Sequence, residues 1–206
     1  MGFYDNHILP HLIDVCCSAK QVRAQRHKVV TLAEGRVLEV GFGTAENLAC
    51  YDVNKVKQIW GLEPSEGMLK LARKRLVNSP VDVTLLNAGV EQIPLDDNSV
   101  DSVLLTYTLC SITEWMRGLS EIRRVLKPDG SLIFCEHGAA PEQSVLKWQN
   151  RINPLWKKIA GGCNLNRPVP SLLGQSGFRI LTMDTAYLPK TPRLFGYNYW
   201  GVARPE

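Results

Sequence analysis

The stretch Val37-Leu38-Glu39-Val40-Gly41-Phe42-Gly43-Thr44-Ala45-Glu46-Asn47-Leu48 decides how the rest of the chain is read. Residues 36–40 form a short apolar run with β-branched members between Gly35 and Gly41, and a helix-like pattern follows at once. The pattern predicts a strand, a tight glycine loop and a helix. Gly41 and Gly43 carry no Cβ to hold a ligand off the backbone, and the first N–H groups of a following helix would point into the loop. A small polar ligand fits there.

A dinucleotide fingerprint calls for a third glycine at position 46, where this chain has Glu46. Glu39 adds a carboxylate at the strand end. Negative charge repels a pyrophosphate but suits a ligand that carries an ammonium and a sulfonium, so the loop favours S-adenosylmethionine (SAM) over NAD. A glycine pair after a strand is also a common structural turn, so the assignment depends on what surrounds it.

Before the loop, Ile8, Leu9, Leu12, Ile13, Val15 and Cys16 recur at helical spacing around Pro10. They predict a helical cap over 1–34. Such a cap would cover the sheet, or act as a lid that brings Tyr4, His7 or His11 over the ligand with Arg26 near its carboxylate. After the loop, a second strand over 58–62 ends at Glu63-Pro64-Ser65, and a helix spans 66–76. Glu63 lies about 20 residues beyond the loop, where α/β cofactor sites place an acid for the ribose hydroxyls. Met68 packs on the adenine or in the core. A third strand over 81–86 leads to Gly89 and Val90, whose backbone meets the adenine edge.

Asp101 opens a fourth strand that ends at Thr106, and Tyr107-Thr108-Leu109-Cys110-Ser111 follows at its carboxyl end, where open parallel sheets bind ligands. A helix over 115–126 stops at Lys127-Pro128-Asp129-Gly130. A fifth strand over 131–135 ends in Glu136-His137. A lone histidine there is as often structural as catalytic. Residues 141–170, helical and then irregular, read as an insertion that shapes a substrate pocket. A last helix over 172–177 precedes closing strands over 178–187 and 194–203. The fold expected is α/β: a doubly wound, mostly parallel sheet of about seven strands with an antiparallel edge hairpin, in a single domain over 1–206.

The 206 residues are 45% hydrophobic and 21% charged, ordinary for a globular protein, and no apolar run is long enough to span a bilayer. Stable membrane insertion is not expected. A net charge of +4, spread over local groups of Lys and Arg, gives no case for nucleic-acid binding. The six cysteines have no C-x-x-C spacing, so neither a zinc site nor a disulfide framework is indicated, and reduced thiols in a cytoplasm are expected.

Together, Val37 to Gly43, the acid at Glu63, the D-D-N-S-V-D run ending at Asp101 and E-I-R-R-V-L-K-P-D-G from Glu121 to Gly130 resemble a class I SAM-dependent methyltransferase. The resemblance runs from about Gly35 to the C-terminus. It implies a cofactor set of Glu39, Gly41, Phe42, Gly43, Thr44, Glu63, Pro64, Met68, Gly89, Val90 and Thr106, with Arg26. A narrower series, Thr108-Leu109-Cys110-Ser111-Ile112, Glu136-His137-Gly138-Ala139-Ala140, Trp148-Gln149, Pro154-Leu155-Trp156 and Gly162-Cys163-Asn164-Leu165, resembles the methyltransferase-like thiol S-methyltransferases.

That narrower resemblance implies methyl transfer from SAM to a small thiol or sulfide, with no metal needed, by a monomer or homodimer. Methyl transfer from a sulfonium is an in-line displacement that requires nucleophile, methyl carbon and leaving sulfur to be held collinear in a water-poor pocket. His137 is the first candidate base, with Tyr4, His11 and Asn164 orienting the acceptor. Cys110 and Cys163 line the pocket or serve as small buried hydrophobes. Competing readings are an O-, N- or C-methyltransferase acting on a quinone or lipid precursor, and a SAM-binding regulator without turnover. An NAD-type oxidoreductase is disfavoured by Glu39 and Glu46.

Overall fold

The structure, a computed structural model, describes residues 19–77 and 79–206. The candidates Tyr4, His7 and His11 lie outside the described residues. The described part of the expected cap is one helix, α1 (Lys20–Val30), which buries Gln25, Arg26, Val29 and Val30.

Seven strands form one sheet: β1 (Gly35–Val40), β2 (Val56–Leu62), β3 (Val83–Leu86), β4 (Val100–Thr106), β5 (Leu126–His137), β6 (Phe178–Tyr187) and β7 (Tyr197–Pro205). Their order is β3-β2-β1-β4-β5-β7-β6. The first five are parallel, and β7 runs antiparallel between β5 and β6. The expected architecture and antiparallel edge are therefore present. The last strand starts at Tyr197 rather than 194, because Arg193–Gly196 forms a short helical turn.

Helices α2 (Glu66–Leu76), α3 (Trp115–Val125), α4 (Gln143–Ile159), α5 (Val169–Gln175) and α6 (Arg193–Gly196) complete the described elements of this size. Apolar side chains alternate between the two faces of the sheet with the period of two that a strand imposes. Leu38 and Val40 of β1 join Leu105, Leu119, Ile122 and Phe134 on one face, and Val37 joins Val30, Ile59, Leu104 and Ile133 on the other. Covered on both faces, β1 reads as a nearly continuous apolar run.

One expected element does not form. No α-helix follows the glycine loop; the chain turns through residues 41–47 into a single 3-10 turn, Leu48–Cys50. Ala45 takes a φ of 67°, in the left-handed region that a right-handed helix cannot contain. The loop thus presents backbone from turns and not from a helix N-terminus. Asp101 fixes the start of β1: its carboxylate accepts the Arg36 N–H at 2.7 Å and receives Lys127 Nζ at 2.5 Å.

Candidate active site

Val40, Leu62 and Thr106, the last residues of β1, β2 and β4, open onto a cavity of about 460 Å³. That volume lies within the range of small-molecule sites. Gly41, Phe42, Gly43, Thr44, Glu63, Pro64, Met68, Gly89, Val90, Thr106 and Arg26 all border it. Of the expected cofactor residues, Glu39 is the one that does not.

The reason lies in the strand period. Glu39 points to the same face as Val37, toward α1, and is buried there. Its carboxylate accepts Asn47 Nδ2 at 2.9 Å and the Tyr51 hydroxyl at 2.5 Å. Burial pushes its pKa up to about 7, against the lowering effect of Tyr51, Arg26 and Asn47. Glu39 is thus a support behind the pocket wall. Arg26, on α1, reaches the wall itself: Nη1 donates to Asn47 Oδ1 at 3.0 Å and to Thr106 Oγ1 at 2.6 Å, while the guanidinium lies 5.0 Å from the Tyr107 ring centroid. Phe42 borders the cavity, but its ring packs over Gly61 in the core.

Glu63 stands where the ribose acid was expected. Its two oxygens accept the backbone N–H groups of Gly43 at 3.0 Å and Ser65 at 2.9 Å, which leaves further lone pairs for a diol. Burial raises its pKa, opposed by those two N–H bonds. Gly43, at a φ of 56°, offers its Cα face to open space; a Cβ there would meet nothing nearer than Gly41 O at 3.8 Å. Gly41 has a φ of 71°, and a Cβ would fall 2.2 Å from Thr108 Oγ1. This glycine cradle, the acid at the end of the neighbouring strand β2 and the cavity volume fit SAM. Glu46 completes the wall with its charge met by Arg75 at 2.5 Å and Arg23 at 3.5 Å.

The cavity is also bordered by Tyr107, Thr108, Ser111, Ile112, Thr113 and Gly161, none of them in the expected cofactor set. Their position just beyond β4 is the signal that could have marked them. Tyr107 has a φ of 55°, a strained setting for a tyrosine, held by its hydroxyl bond to Asn198 at 2.7 Å. Buried Glu136 fixes the next residues, accepting the Thr108 N–H at 2.8 Å and the Leu109 N–H at 3.0 Å through the same oxygen.

His137 and Asn164 do not border the cavity; they stand beside it. Asn164 ties two loops together, its backbone N–H and Nδ2 both donating to Cys110 O, at 2.9 and 2.8 Å. His137 Nε2 lies 3.3 Å from Cys163 Sγ, which also receives Trp156 Nε1–H at 3.3 Å. The expected base is therefore paired with a sulfur. Cys110 joins them: the donor atoms of Cys110, His137 and Cys163 all lie within 4.8 Å of one another. Hydrogen bonds from Cys110 and His137 hold the Cys163 thiol well below its usual range, and the Cys163 sulfur raises the His137 pKa despite burial. Half-buried Arg167 donates Nη2 to Ile112 O at 2.7 Å and feels the charge of both sulfurs and of Glu136.

A sheet in this order, with a glycine loop, an acid at the end of β2 and a pocket across the strand ends, defines a Rossmann-like methyltransferase, and the chain belongs to the class I SAM-dependent methyltransferases. Residues 38–134 match the methyltransferase domain family. The human thiol S-methyltransferase TMT1B is 32% identical over 190 residues, covering 87% of this chain and 77% of that protein. A demethylmenaquinone methyltransferase of Clavibacter sepedonicus is 32% identical over 118 residues, covering 57% of this chain and 47% of that protein. Among solved structures, the putative methyltransferase of Haloferax volcanii in complex with the Trm112 activator superposes with a TM-score of 0.74 at 17% identity, covering 100% of this chain and 99% of that one. SAM is thus the methyl donor, and the acceptor is a small molecule. No helix among the described residues is long and apolar enough to cross a membrane.

Proposed function

We propose that the acceptor is a thiol, methylated on sulfur. The observation that carries this reading is the Arg167 guanidinium, whose Nη2 donates at 2.7 Å to the carbonyl of Ile112 on the pocket wall. A free thiol with a pKa of about 8.5 is only a few per cent thiolate at neutral pH, and positive potential raises that fraction. Bound SAM supplies an electrophilic methyl group on a sulfonium. The residues of this chain hold the two partners: Glu63 and the glycine loop the nucleoside, Arg26 the amino-acid end, and Tyr107 to Thr113 the acceptor. The relation to TMT1B, over most of both chains, supports the same choice.

The quinone-precursor reading, C-methylation, draws on the Clavibacter relative, whose match covers a smaller share of the chain. Incubation with methyl-labelled SAM and a panel of a small thiol, a phenol, an amine and a demethylated quinol separates the two. Label is expected in the methyl thioether. Label in the other products and none in the thioether overturns the thiol reading.

A further inference from the structure

We propose that Cys110, His137 and Cys163 form a zinc site with one coordination position open beside the acceptor end of the pocket. The three come from separate places: the turn after β4, the end of β5 and the loop after α4. Their donor atoms nevertheless converge within 4.8 Å, with 3.3 Å between His137 Nε2 and Cys163 Sγ. Tetrahedral zinc, with bonds of about 2.3 Å to sulfur and about 2.0 Å to nitrogen, brings its ligand atoms to separations of roughly 3.5–3.8 Å, so small rotamer adjustments suffice. Two sulfurs and an imidazole are soft to borderline donors that favour zinc over magnesium or calcium.

The surroundings hold this arrangement. Asn164, next to Cys163, is bonded twice to the carbonyl of Cys110 itself, which locks the two cysteines' backbones together although they lie far apart in the chain. Trp156 bonds the Cys163 sulfur, and Glu136 pins the turn that leads into Cys110. Such outer contacts orient metal ligands before the metal arrives. Three protein ligands with a vacant fourth position are the arrangement of zinc sites that act on substrates, whereas purely structural sites close with four. Ser111 and Gly161, immediate neighbours of Cys110 and of the Cys163 loop, border the cavity. Arg167 adds a positive charge that favours an anionic fourth ligand.

The role of the open position rests on the thiol reading above. An acceptor thiol displaces the water in that position, a zinc–sulfur bond forms, and the thiol proton passes to solvent. The acceptor sulfur then attacks the SAM methyl carbon as the carbon–sulfonium bond breaks. The electron pair of that bond returns to the leaving sulfur, giving S-adenosylhomocysteine and a methyl thioether, a weak ligand that departs.

The test is metal binding by the full chain under reducing conditions, followed by cobalt(II) as a spectroscopic substitute for zinc. One equivalent of zinc per chain is expected, with cobalt giving intense sulfur-to-metal charge-transfer absorption. Cys163→Ser and His137→Ala should each weaken zinc binding more than about a hundredfold, beyond what outer-contact changes produce, while Cys50→Ser leaves it intact. Retained SAM binding and an unchanged far-ultraviolet circular dichroism spectrum show that the variants fold. Absence of stoichiometric metal, or binding that survives both substitutions, overturns the site. A cobalt spectrum that shifts when the acceptor thiol is added supports the open position, and one unmoved at thiol concentrations that sustain turnover overturns it. Stoichiometric zinc in a protein that methylates no thiol leaves the site standing and removes the thiol reading.

Discussion

Glu63 accepts the backbone N–H of Gly43 at 3.0 Å, so the acid at the end of β2 braces the loop at the end of β1. If Glu63 also holds the ribose, as proposed, binding and loop geometry are tied through one side chain. Replacing Glu63 with Ala is expected to weaken SAM binding more than tenfold, at least about 1.4 kcal/mol, measured by titration calorimetry. An unchanged affinity would place the ribose contact elsewhere.

The two loop glycines separate folding from binding. At Gly41 a methyl group collides with Thr108, and at a φ of 71° it also incurs backbone strain, so Gly41→Ala is expected to lower thermal stability by several degrees. At Gly43 the methyl enters the cavity and meets no protein atom closer than 3.8 Å. Gly43→Ala should cost about 1–2 kcal/mol of backbone strain and show its larger effect in SAM affinity. Paired melting and binding curves for both variants check this.

The Glu39 carboxyl has a native pKa near 7, against an ordinary 4.5. Between those values the native state binds the proton that the unfolded state has released, so this group's contribution to stability falls as pH rises from about 5 to 8. Glu39→Gln keeps the neutral shape. Relative to this variant, the wild-type melting temperature is expected to drop across that interval, and a constant difference would contradict the assignment.

Gln149 is buried and makes three bonds: its oxygen accepts the Ala140 N–H at 2.9 Å, and Nε2 donates to Gly138 O and Leu194 O, each at 3.1 Å. It joins α4 to the end of β5 and to α6. Gln149→Ala leaves those groups unpaired and is expected to destabilise the fold by about 2–4 kcal/mol in urea unfolding.

Where one local rule governed, the sequence was readable: the strand between Gly35 and Gly41 and the acid about 20 residues beyond the loop appear where expected, and the helix from Trp115 ends at Val125, although Lys127 to Gly130, expected as a stop before a strand at 131, already belong to β5, which starts at Leu126. The Glu121 to Gly130 run also has a visible cause, since Arg124 bonds Glu121, Asp97 and the carbonyls of Ile93 and Leu95, clamping the loop before β4. The misreadings arise where side-chain direction or distant contact decides. Glu39 was placed at the ligand by its position, but strand alternation turns it toward α1. The helix after Gly43 was drawn from periodicity, but Ala45 adopts a left-handed turn. The Cys110, His137 and Cys163 cluster has no local spacing to reveal it, because the sheet order and the Asn164 bonds bring it together.

The described wall of the cavity runs from Arg26 to Gly161 and takes nothing from β6 or β7. Evolution can therefore treat the donor and the acceptor as separate inheritances. Drift in the last strands is filtered by folding and by the Asn198 bond that holds Tyr107 at the wall, whereas, on the thiol reading, the few residues between Tyr107 and Thr113, together with the loop at Gly161, form a small dial on which a new methyl acceptor can be selected without re-learning how to bind SAM.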